Sequence, residues 1–216
     1  DKILGFIPLA VKASIAAGSF NAISELREVT TMFLKLDSYS HILHKDLLTL
    51  QPFFYGIQEI LHECGGFMRQ FLVDDKGCVL IAIWGVPRAS YPNNCSRAVS
   101  CAVKAKFHAN SINHSCSIGI TTGHAYCGTV GSIIRQEYVA MGDAVNLAAR
   151  LMGKANGRIL IDDNTFLRLP NSVSQNLQLA ESLMLKGRDE IMQPYYYNTD
   201  NLPILPSYDD VDDHTI

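Results

Sequence analysis

EYVAMGDAVNLAARL, residues 137–151, changes its pattern partway along. It predicts a strand, a turn at Gly142 and then a helix. Asn146 and Arg150 stand four residues apart on that helix, so they project from one face. Val145, Leu147, Ala148, Ala149 and Leu151 around them are apolar or small. A polar pair on a packed helix is expected to have partners, because burying an unpaired guanidinium is strongly destabilising. Taken alone, the pair suits a structural ion pair or a solvated face better than it suits a site.

Working outward, residues 28–36 (EVTTMFLKL) are β-branched and apolar and predict a buried strand. Residues 47–64 carry Phe53, Phe54, Ile57, Ile60, Leu61 and Cys64 at helical spacing, and Gly65-Gly66 ends that helix. Residues 67–73 and 78–84 are two strands joined by the hairpin turn Asp74-Asp75-Lys76-Gly77. Residues 94–109 form a second helix with Ala98, Cys101, Ala102, Ala105 and Phe107 facing inward. Residues 115–121 return to strand character and end at Gly123. The order is that of an α+β domain with a ferredoxin-like βαββαβ core. A short strand pair near residues 125–130, the helix 142–152 and a strand at 158–162 follow. Two last strands, 178–185 and 194–198, flank the turn Lys186-Gly187-Arg188-Asp189, and Tyr195-Tyr196-Tyr197 packs as strand. The domain is therefore expected over residues 25–200, after a linker helix at 1–24 and before an acidic tail at 201–216.

Composition narrows the function. The chain has 216 residues, 48% hydrophobic and 18% charged, the balance of a folded domain that needs no staples. A net charge of -3 and no basic run argue against nucleic acid or anionic lipid as a partner. Six cysteines without a CxxC pair predict reduced, buried thiols and a cytoplasmic protein. The apolar run at residues 3–20 is interrupted by Pro8, Lys12 and Gly18 and falls short of a membrane span. A chain that starts with Asp1 is expected to be a segment of a longer polypeptide. His41 with His44, and His108 with His114, predict solvated side chains, and the sequon at Asn113 carries little without a secretory context.

The 137–151 stretch resembles the signature of the class III adenylyl and guanylyl cyclases, and further family features recur in order. They are Glu28-Val29-Thr30, Gly65-Gly66, Trp84-Gly85-Val86-Pro87, residues 117–123 (SIGITTG), residues 127–131 (CGTVG) and Lys186-Gly187. The likeness spans roughly residues 25–198 and is strongest to the second cyclase domain of the bicarbonate-responsive soluble adenylyl cyclases. Residues 24–30 (SELREVT), the Asp75-Lys76-Gly77-Cys78 turn and Arg135-Gln136-Glu137-Tyr138 carry that finer likeness.

The resemblance implies conversion of ATP to cyclic AMP and pyrophosphate, with Asn146 orienting the ribose and Arg150 stabilising charge on the reacting phosphate. It puts Gln70 and Val139 at the base and Lys186 near the phosphates. Glutamine can pair with adenine or with a guanine edge, since it donates and accepts; valine offers only contact. The family's first metal aspartate would fall at Lys35, two residues after Phe33, and lysine cannot hold Mg²⁺. Asp37 lies outside the motif, and Asp74 and Asp75 are expected to be turn residues. No metal ligand is therefore expected in this chain. Mg²⁺ or Mn²⁺ would come through a partner, a first cyclase domain expected on the same polypeptide, and the chain alone would be inactive. The alternative is a degenerate cyclase-homology domain with a regulatory or structural role; Lys35, Gln70 and Val139 favour it.

Overall fold

The computed structural model describes residues 24–39, 47–74, 77–132, 136–184 and 191–198. Residues 1–23, His41, His44, Asp75, Arg135, Lys186 and the acidic tail lie outside them, so the linker helix and the phosphate role of Lys186 are not addressed by the fold.

The first strand, β1 (Glu25–Leu36), is followed by a 3₁₀ turn and helix α1 (Gln51–Glu63), then β2 (Phe67–Asp74) and β3 (Gly77–Trp84). Helix α2 (Asn94–Ser111) leads to β4 (Cys116–Gly131), which completes the βαββαβ order. Beyond it come β5 (Gln136–Met141), α3 (Asp143–Lys154), β6 (Ile159–Ile161), α4 (Asp163–Phe166) and α5 (Asn171–Ser174). The chain then forms β7 (Leu177–Leu179), β8 (Leu183–Met184), β9 (Ile191–Met192) and β10 (Tyr195–Tyr197). The main sheet runs β2-β3-β1-β4-β6-β10-β7, with β5 attached to the far part of β4; β8 and β9 pair separately.

Local chemistry explains the breaks. Gly65 takes φ +67°, and the amides of Gly65 and Gly66 donate to the carbonyls of His62 and Leu61, so the end of α1 satisfies its own orphan acceptors. The Trp84 indole donates to the Cys64 carbonyl at 3.0 Å and ties that helix end to β3.

The two faces of the sheet differ. Met32, Leu34, Leu36, Ile118 and Ile120 alternate onto the face covered by α1 and α2, where they meet Phe53, Ile57, Ala98 and Ala102 in the main core. Thr31, Phe33 and Lys35 stand on the opposite face, in register with Thr121, Gly119 and Ser117. That face carries α3. A side chain at Gly119 would collide with the Ala148 carbonyl oxygen and the Met152 amide, so glycine is what lets the helix lie against β4. The Thr121 hydroxyl donates to the Ala144 carbonyl at 2.6 Å, and Leu147, Ala148 and Leu151 form the helix's buried side.

Strands β2 and β5 are far apart in strand order, yet they touch. Phe67 and Tyr138 meet edge to face at 6.2 Å, and Arg69 pairs with Glu137 at 3.7 Å. The sheet therefore curls until its β2 and β5 edges meet over a second core of Val29, Ile83, Val86, Ala125 and Cys127.

Four expectations are corrected. β4 does not end at Gly123 but runs on to Gly131, 16 residues in all, so the separate strand pair is its outer half with β5. The expected last strand pair is four short strands, with β10 on β7 and β8 on β9. Helices α4 and α5 were not foreseen. Phe107 points outward, 39% exposed, because the buried stripe of α2 passes through Ala98, Cys101, Ala102, Ala105 and Ala109.

Candidate functional site

Helix α3 organises the site. Its buried stripe leaves Asn146 exposed and Arg150 half-buried on the outward side. Among the described residues, neither the Asn146 amide nor the Arg150 guanidinium has a side-chain partner. The partners that such a pair is expected to have are therefore not side chains among the described residues. Asn146 is exposed and Arg150 only half-buried, so neither group is buried deeply enough to need a partner.

Gln70 lies on β2 opposite Ile81 and is exposed. Val139 lies on β5 opposite Gly128 and is half-buried. Arg69, next to Gln70, and Glu137, two residues before Val139, form the ion pair across the closed seam, so the fold brings both base candidates to the same seam.

Lys35 sits on β1 between Val79 and Ser117. It opens into a cleft of about 400 Å³ lined by Asp37, Ser115, Ser117, Met152, Gly153, Asn156 and Gly157, at the end of α3 remote from Asn146. The Ser117 hydroxyl donates to the Asp37 carboxylate at 2.7 Å and accepts from the Gly157 amide at 2.8 Å. An ammonium and one carboxylate already engaged by serine do not make a site for a divalent ion, which needs several free oxygen donors. Among the described residues there is no group of three or more His, Cys, Asp or Glu arranged to hold one. Asp74 closes β2 opposite Gly77 in the hairpin.

One polar cluster escaped the sequence reading. Asp162 is 3% exposed and its carboxylate accepts from the amides of Thr165 (3.0 Å) and Thr122 (3.3 Å), capping α4. Burial pushes its carboxyl up to about 6, against the pull of those hydrogen bonds. Hydroxyl contacts continue the cluster from Thr165 to Thr122 at 2.8 Å and on to Thr30 at 3.0 Å, ending at the Cys95 thiol. An aspartate straight after a strand, with threonine three residues on, was the available signal. All six cysteines are buried and free, and burial pushes Cys78 and Cys116 up to about 12, so these two thiols are poor nucleophiles.

Residues 22–198 match the adenylate and guanylate cyclase catalytic domain family. The chain is 30% identical over 147 residues to adenylate cyclase type 10 of Homo sapiens, covering 67% of this chain and 9% of that protein. It is also 30% identical over 147 residues to the terminal-differentiation specific adenylate cyclase of Dictyostelium discoideum, covering 62% of this chain and 6% of that one. The chain thus spans less than a tenth of the length of these relatives. In fold it is similar to the adenylyl cyclase CyaB from P. aeruginosa, with a TM-score of 0.73 at 19% identity over 84% of this chain and 98% of that one. The guanylyl cyclase Cya2 superposes with a TM-score of 0.71 at 20% identity over 85% and 99%. Among the described residues no helix is long and apolar enough to cross a membrane. With a match covering nearly all of its folded length, the chain belongs to the adenylate and guanylate cyclase catalytic domain family.

Proposed function

We propose that this chain is the second catalytic half of a soluble-type adenylyl cyclase, converting ATP to cyclic AMP and pyrophosphate at an interface with a metal-bearing first cyclase domain on the same polypeptide. The observation that carries the reading is the outward pair Asn146 and Arg150, without partners among the described residues, on a helix otherwise docked through Leu147, Ala148 and Leu151. A second observation supports the need for a partner. On the sheet face beside α3, Phe33, Lys35, Gln70, Leu72, Val79 and Ile81 are all at least partly open to solvent, whereas the other face is covered by two helices.

In this reading the ribose 3′-oxygen attacks the α-phosphorus, a new O3′–P bond forms, and the bond from that phosphorus to the bridging oxygen of pyrophosphate breaks. The 3′-hydroxyl proton leaves to solvent or to pyrophosphate. Asn146 holds the ribose so that the 3′-oxygen faces phosphorus in line with the leaving group. Arg150 donates to the phosphate oxygens as charge gathers on them, a donor role that is worth most in the transition state. Gln70 and Val139 meet the base and Lys186 the phosphates. Mg²⁺ or Mn²⁺ would supply activation of the 3′-oxygen in such chemistry and would be held by the partner domain, since Lys35 and Asp37 do not suit a divalent ion. Residues 25–200 form the domain, and the paired enzyme works in the cytoplasm.

Arg150→Ala and Asn146→Ala in the paired enzyme are expected to lower kcat by about 10²–10³-fold each with little change in KM. Measuring cyclic AMP and cyclic GMP from ATP and GTP tests this; full activity in Arg150→Ala would sink it. A second reading, a degenerate domain with a regulatory role, draws on the lysine at the metal position and on Gln70 and Val139. It takes over if the paired domains form neither product while the partner carries both metal carboxylates.

A further inference from the structure

The β2 edge holds one extra residue. Met68 is opposite Ala82 and Gln70 is opposite Ile81, so Arg69 is a bulge between two consecutive positions of β3. The bulge resets the alternation of side chains. Met68 packs against the α1–α2 core, and without the extra residue Gln70 would share its face. With it, Gln70 turns to the α3 face, in line with Ile81 and Phe33. The direction in which Gln70 points therefore depends on how Arg69 is accommodated.

Arg69 is tethered. Its guanidinium lies 3.7 Å from the Glu137 carboxylate, with 20% of the arginine side chain and 46% of the glutamate side chain exposed. Glu137 is two residues before Val139 on β5, and the adjoining Phe67–Tyr138 contact holds the same two edges together through apolar surface. The pair thus joins the bulge that aims Gln70 to the strand that carries Val139. Neither Arg69 nor Glu137 needs to touch the nucleotide for this.

We infer that Arg69 and Glu137 form a clasp across the β2–β5 seam that sets base selectivity, by fixing how Gln70 and Val139 face one another. They are positioning residues. The inference rests on the proposed cyclase reading and adds to it what decides between adenine and guanine. Arg69 keeps the bulge pressed toward β5; once the clasp opens, Gln70 is free to reorient and to present its amide donor and acceptor in either order. Both bases then find a partner, and discrimination between them weakens.

The test uses this chain paired with its metal-bearing first domain, with kcat and KM measured for ATP and for GTP. Arg69→Ala and Glu137→Gln are expected to reduce the preference between the two nucleotides by about threefold, the scale a half-exposed ion pair can sustain, mainly through KM. Arg69→Lys retains the charge and is expected to hold the preference near its original value. Exchanging the partners, Arg69→Glu with Glu137→Arg, should recover more of it than either single exchange. Melting curves accompany each variant, and Glu137→Gln, at a largely exposed carboxylate, serves if Arg69→Ala does not fold. An active pair whose nucleotide preference is the same in Arg69→Ala, Glu137→Gln and the original overturns the clasp and leaves the cyclase reading standing. A pair that turns over neither nucleotide removes that reading and the clasp with it.

Discussion

Asp162 combines a carboxylate with a site that excludes water. Two backbone amides hold it, yet burial dominates, and its carboxyl titrates near 6 where 3.8 is ordinary. Between those values the native state keeps a proton that the unfolded chain has lost. The stability this group contributes is therefore full below the unfolded value and is lost as pH rises through about 6. The loss is on the order of 1–3 kcal/mol for a group this deeply buried. Asp162→Asn keeps an acceptor for the cap and removes the titration. Its melting temperature relative to the original chain should improve between about pH 4 and about pH 7.5. An offset that does not change between those conditions would contradict this account. Local sequence carried the cap motif of Asp162 and Thr165 but not its burial, because the enclosing groups come from β4 and β1, 40 and more residues away.

Among the elements, α3 governs the site, and its seat on β4 is a backbone-to-backbone fit at Gly119. A methyl group there meets backbone atoms of Ala148 and Met152, which cannot swing aside as a side chain would. Gly119→Ala is expected to cost about 1–3 kcal/mol. It should also depress activity in the paired enzyme, since the helix that moves carries Asn146 and Arg150. Gly153, on the same helix, faces open space. Gly153→Ala should raise the stability of the chain by about 0.5–1 kcal/mol through helix propensity alone. Thermal unfolding of the two variants side by side tests the pairing; equal effects would mean that Gly119 is not the seat.

The sequence made α3 legible because its apolar stripe, its turn glycine and its polar pair all lie within fifteen residues. The reach of β4 was harder to see. Gly123 looked like an end, but its place beneath the Ala144 side chain makes it a close approach inside a continuous strand. The four short strands after α5 are not legible for another reason: two- and three-residue ladders are held by pairing, not by a period that a sequence can display. Nor could periodicity announce the bulge at Arg69. That residue belongs to a run of mixed character, and its partner Glu137 is 68 residues downstream.

At the scale of the molecule, the βαββαβ order and the assignment of core faces were readable because each strand alternates against a single covering layer. The meeting of β2 with β5 was not, since it follows from sheet curl and unites strands that are not neighbours. The result is a domain with two unlike polar regions along α3. The outward side of α3 carries an amide and a guanidinium without side-chain partners among the described residues, and the C-terminal end of the helix borders the cleft of Lys35. Under the proposed function the chain supplies the charge-stabilising part of the chemistry and its partner the metal-binding part. The decisive measurement is cyclic AMP formation from ATP with Mg²⁺ or Mn²⁺, by the isolated chain and by the chain combined with a first cyclase domain carrying both metal carboxylates. No turnover alone, turnover on combination, and loss of that turnover with Arg150→Ala is the predicted result. Turnover by the isolated chain, or a combined activity indifferent to Arg150→Ala, would contradict the account.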